Sequence, residues 1–157
     1  MPPFDVSSPA LALGTAAVAG FGAGILPIGM AEALALAIGV VEPPELAVAM
    51  WIVFTATHVL AKVPWYWLGA HSDRVMGAWA MRYTQRARSF LDERPTFGTG
   101  LLAVSALTSV PPFHLVSIAA GMTRIPFARF LVLCFGGRLV RFGLLVLAPE
   151  VVRRVLS

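Results

Sequence analysis

Apolar residues fill this chain in long blocks, and the blocks are broken at similar places in its two halves. The first runs from Ala10 to Val41 and is interrupted by Leu26-Pro27-Ile28-Gly29, with Glu32 just beyond. It is longer than the roughly 20 residues that one helical crossing of a bilayer needs. Pro27 removes a backbone donor and Gly29 loosens the helix, so the block reads as two short arms around a break. Glu42-Pro43-Pro44-Glu45 makes a polar turn. A second block, Leu46 to Ala70, is long enough to cross with some tilt. It contains His58 and Lys62 and ends in Trp65-Tyr66-Trp67, a cluster of the kind that favours the membrane–water interface.

The segment from His71 to Arg94 has a different rhythm. Val75, Trp79, Tyr83, Ala87 and Phe90 recur at helical spacing, while Arg74, Arg82, Arg86 and Arg88 fall largely off that stripe. This predicts a basic amphipathic helix lying in the membrane surface, with a plain solvated connector as the alternative.

The second half opens with an apolar block from Gly100 to Gly121, broken by Val110-Pro111-Pro112-Phe113. A turn, Met122-Thr123-Arg124-Ile125-Pro126, leads into a last span, Phe127 to Ala148, which holds Arg138 and Arg141. Each half therefore has a proline-broken segment, a glycine, a proline five residues later (Gly39 to Pro44, Gly121 to Pro126), and a full span with two basic groups near its middle. Interrupted segments in corresponding positions point to an internal repeat whose breaks line a site at the bilayer midplane. Each arm is short for a full crossing, and irregular backbone at membrane depth is tolerated only where protein or water satisfies it. The expected fold is an all-α integral membrane protein built as one membrane domain. Two inverted repeats, residues 10–70 and 99–148, each consist of a re-entrant helical hairpin and a transmembrane helix, and an amphipathic connector, residues 71–98, joins them.

Composition supports the membrane reading. Hydrophobic residues make up 58% of the 157 and charged residues 13%, against roughly a quarter in soluble domains. The lone Cys134 forms no internal disulfide. Met1 to Pro9 carries no Lys or Arg, so a cleaved secretory leader is not expected. The net charge of +4 lies beside and between apolar blocks, where it suits anionic lipid headgroups as partners; no aromatic-and-basic motif for nucleic acid is visible. Arginine counting places the side holding the middle loop and the second turn, with Arg74, Arg82, Arg86, Arg88, Arg94, Arg124 and Arg129, in the cytoplasm, and both termini outside with Asp5, Glu42 and Glu45, although Arg153 and Arg154 run against the trend.

The charges inside the apolar blocks carry the functional argument. Glu32, His58, Lys62, His114, Arg138 and Arg141 lie there at a cost of about 2.5–3.5 kcal/mol for each charge at a helix centre, so such residues face a partner or a wet cavity. His58 and Lys62 share one helix face by their spacing of four, and Arg138 and Arg141 share another by their spacing of three. Three bases against one acid favour an anion, and in a membrane that anion is often a lipid phosphate, which Arg grips bidentately and Lys as a point charge. Blander readings stand beside this one. Lys62 snorkels, His58 is a satisfied interhelical donor, and Glu32 is either a proton-coupling group or the structural partner of an arginine. Ser105, Ser109 and Ser117 read as helix-packing residues. No nucleophile–base pair, cofactor motif or metal cluster is visible, so an enzyme is not expected; a membrane assembly subunit is the alternative to a transporter.

At these residues the chain resembles the DedA family, also called the VTT or SNARE-associated Golgi protein family, and its short bacterial members in particular. The resemblance rests on Leu26-Pro27-Ile28-Gly29-Met30-Ala31-Glu32, on Trp65-Tyr66-Trp67-Leu68-Gly69, on Pro111 followed by Ala120-Gly121, and on Gly137-Arg138-Leu139-Val140-Arg141-Phe142. It departs where the family has hairpin arginines, which here are Thr108 and His114, and where Met30 replaces a second proline. The resemblance implies transport or scrambling of phosphate-bearing lipids, polyprenyl phosphate among them, in the bacterial cytoplasmic membrane and often linked to proton motive force. His114, whose imidazole changes charge near neutrality, would make a proton-sensitive version of the arginine site. The expected site is Arg138, Arg141, Lys62 and His114 on the phosphate, with Glu32 and His58 in proton coupling or ion pairing and with breaks at Pro27, Gly29, Pro111 and Pro112.

Overall fold

The computed structural model describes residues 8–26, 30–72, 89, 93, 95–110 and 112–156. Pro27, Gly29 and Pro111 lie outside them, as do the stripe residues of the proposed surface helix, Val75, Trp79, Tyr83, Ala87 and Phe90, and its arginines Arg74, Arg82, Arg86 and Arg88.

All regular structure among the described residues is helical. Helix α1 is Pro9–Ile25, α2 Met30–Val41, α3 Pro44–Leu60, α4 Val63–Ala70, α5 Pro95–Thr108, α6 Phe113–Met122 and α7 Phe127–Leu156. Prolines and their neighbours set most of the boundaries. Ser8 caps α1 by accepting the Leu11 N–H at 3.3 Å, and Pro9 follows at a position where its missing donor costs nothing. Leu26 is extended (φ −75°, ψ 132°), as a residue preceding a proline must be. Pro44 opens α3. Pro64 has no N–H for the Leu60 carbonyl, and a two-residue turn at 61–62 separates α3 from α4 there. In hydropathy and length the stretches Pro44–Ala70 and Phe127–Val152 both qualify as membrane spans.

Two boundaries differ from the sequence expectation. α5 starts at Pro95, so residues 95–98, expected in the connector, belong to the first arm of the second broken segment; Thr96, Gly98 and Thr99 dilute the hydropathy without breaking the helix. α7 continues past Ala148 through Pro149 to Leu156, because polar residues end an apolar block without ending a helix.

The chain divides into two compact units, residues 1–60 with 139–157, and residues 61–138. In the first, α1 lies along α3, and Gly20 meets the Phe54 carbonyl and Thr57 so closely that no side chain fits. In the same unit Gly39 of α2 abuts the Val146 carbonyl of α7, and Trp51 donates its indole N–H to the Leu139 carbonyl at 3.1 Å. In the second unit, Gly137 of α7 packs on Ala106 of α5, and Gly121 of α6 abuts the Tyr66 carbonyl of α4. The Tyr66 hydroxyl donates to the Ile125 carbonyl at 2.7 Å. Small residues let helix backbones approach this closely, which is how helices associate where solvent gives no hydrophobic drive.

Both spans carry a buried stripe of residues four apart. One is Met50, Phe54, His58, Lys62 and Tyr66; the other is Phe130, Cys134, Arg138, Phe142 and Val146. The opposite side of α7 exposes Val132, Val140, Leu144 and Val151. A helix that shows valine outside and buries arginine inside is arranged for lipid surroundings rather than water.

Candidate functional site

The intramembrane charges fall into two clusters, one in each unit. In the second unit, α6 begins at Phe113 directly after Pro112, and Phe113 is buried. The Arg138 guanidinium lies 4.3 Å from the centre of the Phe113 ring, and the Lys62 ammonium lies 5.8 Å from it. Both cations are nearly sealed, with 3% and 4% of their surface exposed. The negative face of the ring attracts each by about 2 kcal/mol when desolvated, against several kcal/mol for burying an ion. Two like charges held on one ring also repel each other.

The residue after α5 supplies a third contact. Arg138 Nη1 donates to Ser109 Oγ at 2.9 Å. Ser109 follows α5 in the left-handed region (φ 62°), a conformation that costs a non-glycine residue about 1–2 kcal/mol. Thr108, standing where the resembled family has an arginine, closes the helix end by accepting the Val110 N–H at 3.1 Å and donating to the Val104 carbonyl at 2.8 Å. Ser117 donates to the Phe113 carbonyl at 2.8 Å, and Ser105 is fully buried. Ser105 and Ser117 are thus the packing residues that the sequence suggests, whereas Ser109 touches the buried arginine. Its signal in the sequence is a helix that must end before Val110-Pro111 without the glycine that usually takes the left-handed position. His114, next to Phe113, packs against Trp65 with ring centres 6.0 Å apart.

The first unit holds the other cluster. Arg141 grips one carboxylate oxygen of Glu32 through Nε at 3.0 Å and Nη2 at 2.9 Å. Glu32 lies in the first turn of α2, where the helix dipole favours an acid. The pair is only part-buried, 26% and 29% exposed, so a proton or a competing anion can reach it. His58 is enclosed by Phe54, stacked at 6.2 Å, and by the edge of Phe142 at 5.2 Å.

Of the six charges singled out by sequence, Lys62, Arg138 and His114 thus belong to one unit, and Glu32, Arg141 and His58 to the other. Among the described residues no three His, Cys, Asp or Glu side chains are placed to hold a metal ion.

No curated protein and no solved structure matches the chain. A family model, that of the VTT domain, matches residues 8–150, which is nearly the whole length. That match, the two membrane-span helices and the inward-facing charges agree with the resemblance seen in the sequence: this chain is a membrane protein of the DedA/VTT family.

Proposed function

We propose that this protein moves phosphate-bearing lipids across the membrane, as a flippase or scramblase, and is not an enzyme. The observation that carries the proposal is the convergence of Arg138 and Lys62, from two different spans, on the Phe113 ring at the break of the second hairpin. A lipid phosphate there would receive a planar two-donor grip from Arg138 and a point charge from Lys62, with His114 beside them. The part-exposed Glu32–Arg141 pair supports a coupled step: protonating Glu32 removes the carboxylate that holds Arg141 and frees the guanidinium for a second anion.

The architecture we propose for this task is an inverted repeat of re-entrant hairpins, each followed by one crossing, in the bacterial cytoplasmic membrane with anionic lipids as partners. Helix α2 has 12 residues and α6 has 10, about 18 and 15 Å of helix, well short of a hydrocarbon core of about 30 Å. The glycine before each inter-helix turn meets a span carbonyl in both halves, Gly39 at Val146 and Gly121 at Tyr66, and Glu32 and His114 each stand seven residues before that glycine.

The test is reconstitution in liposomes with fluorescent phospholipids or a polyprenyl phosphate, with and without a pH gradient. Arg138→Gln should slow transport about tenfold or more while the protein still folds, the scale set by losing a charge-assisted hydrogen bond. Glu32→Gln should leave lipid binding intact and blunt the response to the gradient. Normal transport by Arg138→Gln would sink the proposal, and the buried charges would then serve packing in a membrane assembly subunit.

A further inference from the structure

The first unit contains a cavity of about 220 Å³ among α1, α2 and α3 that neither charge cluster lines. Its wall is hydrocarbon from Ala16, Ala19, Leu34, Met50 and Phe54, with two polar side chains. Thr15 is one, and its hydroxyl already donates to the Leu11 carbonyl at 2.9 Å. Glu42 is the other, the one ionisable residue among the described residues of the lining. It is half-buried at the end of α2.

An apolar cavity of about 150 Å³ stays dry and accepts benzene, so this one has room for a single hydrocarbon chain. A carboxylate at the mouth of an apolar cavity attracts a cation whose hydrocarbon part fills the cavity. The same carboxylate repels a phosphate, and Glu45 stands three residues further along the same turn. We infer that this cavity binds a single-chain alkylammonium amphiphile, its chain among Ala16, Ala19 and Met50 and its ammonium on Glu42. The ligand is opposite in charge to the lipid phosphate proposed for the arginines, and neither arginine lines the cavity.

The experiment follows the ¹³C-methyl resonance of Met50 in the full chain in a nonionic detergent, assigned by Met50→Leu, during titration with octylammonium. A saturable shift is expected. Octanol and octyl sulfate should bind at least about tenfold more weakly, and Glu42→Gln should weaken octylammonium by about the same factor, since each removes one charge-assisted contact. Ala37→Phe, which fills the cavity from its lining, should abolish the shift; should that variant not fold, Glu42→Gln still decides. Unchanged affinity in Glu42→Gln, equal binding of octyl sulfate, or no saturable response to octylammonium would overturn the inference. So would lysophosphatidylethanolamine binding as tightly as octylammonium, because a headgroup phosphate would then be tolerated beside Glu42.

Discussion

Ser109 combines two demands that oppose each other: its backbone is in a region natural to glycine, and its hydroxyl is needed by Arg138. Substitution separates them. Ser109→Ala loses the acceptor and keeps the strained backbone, whereas Ser109→Gly loses the acceptor and relaxes the backbone. Both should unfold at lower temperature than the parent, because a buried charged donor loses a partner worth about 1.5–3 kcal/mol. Ser109→Gly should be the more stable of the two by about 1 kcal/mol. Equal stabilities, measured by thermal unfolding in detergent, would mean that the left-handed backbone carries no cost here. Sequence could name the charged residues at this scale but not their pairing. Glu32 reads in the sequence as either a proton-coupling group or the partner of an arginine, and the spacing of Arg138 and Arg141 puts both on one helix without saying which of them meets α2. The helix resolves that choice through its buried stripe, which places Arg138 beneath Phe113 and leaves Arg141 at the edge, beside Glu32.

Among elements, close approach is the organising device. A methyl group added at Gly39 or Gly121 would collide with a carbonyl of the neighbouring helix, and a backbone oxygen cannot swing aside as a side-chain tip can. Gly39→Ala and Gly121→Ala should each destabilise by about 1–3 kcal/mol or more. Gly14→Ala, with open space around it on exposed α1, should be neutral or gain up to about 1 kcal/mol from better helix propensity. Thermal unfolding of the three variants checks this, and a tolerated Gly121→Ala would remove the packing parallel between the halves. Most helices were legible because proline chemistry writes their ends into the sequence: the break after Leu26, the start at Pro44 and the start after Pro112 all follow from it. The extensions at Pro95 and Leu156 were not, since hydropathy reports where a helix is apolar and is silent on where it stops. The pause at 61–62 was legible in Pro64 but hidden by the unbroken apolar run around it.

At the scale of the whole molecule, helix length governs how often the chain crosses the bilayer. Pro44–Ala70 is about 40 Å of helix, long enough for one tilted crossing of a core of about 30 Å. Helix α1, at 17 residues, is about 25 Å long, and α2 is about 18 Å, so neither arm has the length for a comfortable crossing by itself. A re-entrant arrangement keeps both outer ends on one face and the break inside the membrane. Single cysteines in a Cys134→Ser background should therefore behave in a fixed pattern toward a membrane-impermeant maleimide. Ser8→Cys and Glu42→Cys should react from the same side, Thr123→Cys from the opposite side, and Met30→Cys, next to the break, from neither. The arginine count puts Thr123 on the cytoplasmic face, so that its labelling should require permeabilised cells. Reaction of Ser8→Cys and Glu42→Cys from opposite sides would make α1 and α2 a single bent crossing. Reaction of Met30→Cys from the side opposite to Ser8 would make them two full crossings. Either result would end the re-entrant model, and with it the idea that the hairpin break delivers Ser109 to an arginine at membrane depth.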